Sequence, residues 1–225
     1  TTPVLAVGNG GTGQMTISNG AVVSILGGGE RDFTVNNTNT GSGTLNVSNG
    51  SVINASRFAV ADNGGNGVAT IDRSTINLDG VIFGNGTNGA GVRVGRGDGA
   101  VGVLNLQNAT VININNTVTN ASVLLGGTGT LAGGTGTLNM SGGSSINFTG
   151  SAASASLQVG AVDGTGFMTM SGASTVNVGA TGVAHVGGNA NTHGTLSVGS
   201  GSSITANAIN IGGNSDTAAG GTGSA

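Results

Sequence analysis

The sequence predicts an all-β chain wound as a parallel β-solenoid (β-helix), with about three short strands per coil and seven full coils plus a partial eighth. Three observations carry that expectation. A motif of two apolar residues flanking a third, closed by Gly or a small substitute, returns eight times, from Leu5-Ala6-Val7-Gly8 to Ile209-Asn210-Ile211-Gly212. Its second apolar anchor falls at positions 7, 35, 60, 94, 125, 159, 186 and 211, a spacing of 25 to 34 residues that marks stacked units. Between these motifs apolar and polar residues alternate in short triplets, and helical periodicity is absent.

Each coil opens on this first run, so coils start near residues 4, 32, 57, 91, 122, 156, 183 and 208 of a single repeat domain, 1–225. A second run follows in all but the last, as in Met15-Thr16-Ile17, Leu45-Asn46-Val47 and Leu104-Asn105-Leu106, with a Gly two residues before it at 13, 43, 67, 102, 136, 166 and 194. An apolar-polar-apolar triplet turns two side chains to one face and one to the other, as a half-buried strand does. Turns such as Ser18-Asn19-Gly20 and Ser48-Asn49-Gly50 lead to a third run, as in Ile53-Asn54-Ala55, Ile76-Asn77-Leu78 and Ile112-Asn113-Ile114. Asn and Gly tolerate positive φ and let the chain bend sharply there.

Stacked coils at about 4.8 Å would make a rod on the order of 35 to 40 Å long, with aliphatic stacks inside and Asn, Thr and Ser ladders outside. The longer repeats carry most of their extra residues between the third run and the next first run, at 79–91, 115–122 and 149–156, with a further turn at 127–134. Insertions at one corner emerge on one side of a solenoid, where binding is expected. Val81-Ile82-Phe83 is the notably apolar insertion, read as a small extra strand covering the rod.

The composition narrows function further. Of 225 residues 48 are Gly and one is Pro, yet 36% are hydrophobic and regularly placed, which argues against both collagen and disorder. Five basic and eight acidic residues give a net charge of −3, and every basic residue is an Arg between Arg31 and Arg96, so there is no footprint for nucleic acid. The absence of Cys rules out a disulfide scaffold, and no apolar run is long enough for a membrane-spanning helix. A polar surface nearly free of charge favours association over free diffusion. The first residues, Thr1-Thr2-Pro3, suggest a segment of a longer chain or a filament protomer.

Candidate chemistry is sparse. Asp62, Asp98, Asp163 and Asp216 follow first-run anchors at offsets of 2, 4, 4 and 5, so they are weak calcium candidates: a calcium roll repeats its carboxylate at one fixed position. His185 and His193 share a coil without a third nitrogen or sulfur ligand and read as solvated imidazoles. A glycoside hydrolase would need paired carboxylates and sugar-stacking rings, and this chain has no Trp, no Tyr and five Phe. Arg96-Gly97-Asp98 spells a short integrin-ligand tripeptide, read as a solvated turn. No catalytic, cofactor-binding or metal residue is assigned, and the chain reads as a non-enzyme without a cofactor.

The series of V-G, G-x-L-x-(I/V)-S and S-x-(I/V)-N-(I/V) elements resembles the β-solenoid passenger repeats of bacterial autotransporters and haemagglutinin-like surface adhesins. That resemblance implies secretion, exposure on the bacterial cell surface, and roles in adhesion, biofilm or fibre formation. The expected function is therefore a non-enzymatic extracellular structural or adhesive segment, a stiff spacer or filament building block. Its expected partners are neighbouring repeats, further copies of itself, or a glycan or host-surface receptor. Carbohydrate binding or processing by the loops at 79–91 and 115–122 is the alternative, and ice binding a lesser one.

Overall fold

The computed structural model describes residues 4–26, 31–79, 91–115, 120–127, 133–150, 154–188, 190–213 and 222–225. Among them every regular element is a strand, and every strand pairing is parallel. The pairings build three ladders that run the length of a parallel β-solenoid.

The first ladder stacks Val4–Val7, Asp32–Val35, Arg57–Val60, Gly91–Val94, Asn120–Gly126 and Ser154–Ala161, then the later halves of Thr175–Val186 and Ser203–Ile211. A second ladder stacks Thr12–Ile17, Ser42–Ser48, Asn66–Asp72, Val101–Gln107, Thr135–Met140, Thr165–Met170, His193–Val198 and Thr222–Ser224. The third holds Val22–Ser24, Val52–Ala55, Thr75–Asp79, Val111–Asn115 and Ser145–Phe148, continued by the first halves of Thr175–Val186 and Ser203–Ile211. The three runs expected from the triplets are thus the three walls of the coil, and Thr222–Ser224 begins the second wall of the eighth.

Register puts like on like. Val35, Val60, Val94, Leu125, Val159 and Val186 stack along the first ladder, and Ile53, Ile76, Ile112, Ile146 and Val176 along the third. These side chains are all but fully buried and meet in one axial core. Phe33 and Phe58 stack there with ring centroids 5.6 Å apart. A one-residue slip in any strand would turn its whole apolar set outward, so the alternation holds the register.

The corners explain the small residue that closes the first run. Gly8, Asn36, Ala61, Gly95, Gly126, Gly160, Gly187 and Gly212 all have positive φ, a left-handed bend that Gly and Asn accept at least cost. Where the residue is Asn36, its buried side chain donates to the carbonyls of Gly41 and Gly64 and holds the turn. At the next corner a column of buried hydroxyls does the same work: Ser51, Thr110, Ser144 and Ser174 each donate to the carbonyl three residues back, at 2.7 Å.

One expectation needs amendment. The third corner is not a separate bend in every coil, because Thr175–Val186 and Ser203–Ile211 run through it as single strands with register shifts near Gly179. Those coils have no room for a loop between the third run and the next first run. The insertion Val81-Ile82-Phe83, read as a covering strand, lies outside the described residues, as does Asp216.

Candidate functional site

Two features stand out from the otherwise neutral walls: a cleft on the third wall and a charged cluster on the first. The cleft has a volume of about 660 Å³ and its floor is the outward column Ser24, Asn54, Asn77 and Asn113. These residues occupy successive coils in register, and each amide donates to the residue below. Asn54 Nδ2 donates to Ser24 Oγ at 2.9 Å, Asn77 Nδ2 to Asn54 Oδ1 at 3.0 Å, and Asn113 Nδ2 to Asn77 Oδ1 at 3.0 Å. The alignment polarises every amide in the same sense, which strengthens the chain of bonds. Asn147, next in register, instead bonds Ser145 Oγ at 3.3 Å, and so the column stops at Asn113.

One side of the cleft carries the ion pair Arg31 Nη2–Asp79 Oδ1, 2.8 Å long, with the Arg31 Nε also donating to Ser56 Oγ at 3.2 Å. Leu26, 77% exposed, forms an apolar rim. Asp79 and Asn115, the first residues of two of the insertions expected to bind, line the cleft. Residues 80–90 of the first insertion and 116–119 of the second lie outside the described residues.

The charged cluster follows from equal and opposite charges at equivalent repeat positions. Asp32 and Arg57 both precede the first apolar anchor and are neighbours in register. The Arg57 Nε donates to Asp32 Oδ1 at 2.8 Å, and Nη2 pairs with Oδ2. Asp62 and Arg96 both stand two residues after the second anchor and meet at 3.3 Å, Nε to Oδ1, as a buried ion pair whose angle is too poor for a hydrogen bond. Arg93 lies in the same group, and burial, then repulsion from Arg57, holds its pKa down to about 10. The outward residues Asp32, Thr34, Arg57, Ala59 and Asp62 are buried, so this stretch of wall is a second, polar interior. The sequence reading missed both pairs, although the matched repeat positions carried the signal.

The calcium candidates are not brought together. Asp62 is engaged by Arg96, while Asp98 and Asp163 are exposed in separate turns. Among the described residues no three His, Cys, Asp or Glu side chains are grouped as a metal site would require. Arg96 of the Arg96-Gly97-Asp98 turn is held against Asp62 and Asn63 rather than solvated, which corrects half of that reading. Of the two imidazoles, His193 pairs through Nδ1 with Thr222 Oγ1 of the next coil. His185 is less solvated than expected: its Nδ1 is buried without a hydrogen-bond partner, and burial lowers its pKa. Among the described residues no helix is long and apolar enough to cross a membrane.

No family model, curated protein or solved structure matches the chain.

The two ends of the stack complete the surface. On the first coil Val4 and Val22 are exposed, and on the last coils Val198, Ile209 and Ile211. Val198, Ile209 and Ile211 continue columns that are buried in the middle coils, and on the first coil the core columns end in half-buried Leu5, Met15 and Val23; among the described residues no strand lies beyond them. The terminal strands also present unpaired backbone groups, a template for adding another strand.

Proposed function

We propose that the chain is a non-enzymatic structural or adhesive segment, a stiff solenoid spacer or filament building block that works outside the cell. The observation that carries this reading is the pair of ends that no described strand covers: three continuous ladders terminate in half-buried Leu5, Met15 and Val23 on one side and exposed Ile209 and Ile211 on the other. Another coil of the same kind, from further repeats or from a second copy, would cover both. Stiffness follows from backbone hydrogen bonds that run along the axis on all three walls. The sparse charge, a net of −3 over 225 residues, offers little repulsion to packing in arrays. The resemblance of the repeats to bacterial surface passengers is what suggests the extracellular setting.

Electron microscopy across a dilution series, with sedimentation on the same samples, tests the assembly. Filaments of constant width that persist on dilution support end-to-end stacking. Discrete rods on the order of 35 to 40 Å at every concentration would overturn the filament role and leave that of a spacer. The cleft favours a second reading, recognition of a carbohydrate.

A further inference from the structure

We propose that the cleft over Asn54, Asn77 and Asn113 binds a neutral oligosaccharide laid along the rod axis. The inference concerns what the rod would adhere to and holds whether or not the rod polymerises. Size is the first argument: about 660 Å³ lies within the range of small-ligand sites.

Hydrogen-bonding capacity is the second. A primary amide has two N–H donors and two acceptor lone pairs, and the column uses one N–H of each Asn and one lone pair of Asn54 and Asn77. Each amide therefore keeps a donor and an acceptor side by side, the pattern that neighbouring hydroxyls of a sugar ring satisfy in return. The column fixes the side chains in advance, so little rotamer entropy is lost when a ligand arrives.

Charge and apolar surface supply the third argument. Among the described residues the two charged groups at the cleft, Arg31 and Asp79, neutralise each other at 2.8 Å and leave no net charge there to attract an ion. Asp79 nonetheless keeps a carboxylate oxygen for a ligand hydroxyl, being 61% exposed. Leu26 offers an apolar face for the C–H side of a pyranose, in a chain that has no Trp or Tyr to serve. An extended peptide fits less well. Its backbone repeats every 3.2–3.4 Å or so, out of step with amides about 4.8 Å apart.

Calorimetric titration of the whole chain with maltotriose, cellotriose, mannotriose and triacetylchitotriose, with trigalacturonate as the acidic comparison, is the test. At least one neutral trisaccharide is expected to bind. Asn77→Ala and Asn113→Ala should each weaken it tenfold or more, and Leu26→Ala several-fold. Asn139→Ala removes an amide of the same kind from the second wall, outside the cleft, and should leave binding unchanged. Leu26 is exposed, so its variant keeps the test valid if an Asn variant fails to fold. Binding of none of these sugars, preference for trigalacturonate, or equal loss in Asn139→Ala would each overturn the proposal.

Discussion

Replacing Gly102 with Ala should cost this fold several times more than replacing Gly99, three residues earlier. A Cβ at Gly102 would stand 2.5 Å from the Gly95 nitrogen and 2.5 Å from the Val60 carbonyl oxygen. Those two atoms are themselves joined by an inter-coil hydrogen bond of 2.8 Å, so the methyl group would wedge between donor and acceptor. Leaving that buried pair unmade costs about 1–3 kcal/mol, and forcing the methyl into close-packed surroundings about 1–3 kcal/mol more. The sum, roughly 2–6 kcal/mol, is a large share of a domain's net stability. At Gly99 an added Cβ meets nothing within 4 Å, and only the positive φ of 69° is strained, worth about 1–2 kcal/mol. Gly67 is intermediate, with contacts of 2.7 and 2.8 Å. Urea unfolding of the three variants followed by far-ultraviolet circular dichroism should rank stability loss as Gly102→Ala above Gly67→Ala above Gly99→Ala. Equal midpoints for Gly102→Ala and Gly99→Ala would refute the claim that the Gly column exists to let the second wall pass close over the first.

Further outcomes follow from the core, the charged cluster and the imidazole. Phe58→Ala removes one of two stacked, fully buried rings and should lower unfolding free energy by about 3–5 kcal/mol, whereas Leu26→Ala on the surface should change it by less than about 0.5 kcal/mol. Asp32→Ala takes the carboxylate from a bidentate pair whose side chains are only 10% and 12% exposed, and should cost about 3–5 kcal/mol in the same assay. Burial holds the His185 pKa below 6.5 in the fold, so as pH falls through that value the unfolded chain takes up the proton first and stability drops until the folded pKa is passed. The melting temperature of wild type relative to His185→Gln should be flat above pH 6.5 and decline below it; a difference independent of pH would contradict the assigned burial.

How much of this was legible before the structure depends on whether a feature repeats. The eight first-run motifs, the Gly before the second run in seven coils and the short polar turns after it recur along the chain, and recurrence made them readable as walls and corners. A parallel stack with like residues in register follows from that pattern, because only that arrangement buries every apolar anchor together. The Asn column on the third wall was legible for the same reason. Harder to see were features that occur once. Asp32 with Arg57 and Asp62 with Arg96 sit at matched repeat positions, but their pairing emerges only when the coils are superposed.

By itself, then, the sequence determined the architecture: short-range alternation selects strands, a period of 25 to 34 residues selects coils, and left-handed corners favour Gly or Asn. The tertiary structure alone decided which side chains meet across coils. It turned Arg96 inward onto Asp62, buried the outward face around Arg93, ran the third corner straight through in Thr175–Val186, and opened a cleft beside the Asn column. The physical reason is distance along the chain. Backbone bends and strand faces are set by neighbours a few residues away, whereas the contacts between coils, from the buried ion pairs to the Asn column, join residues 23 or more positions apart, brought together only by the stacking.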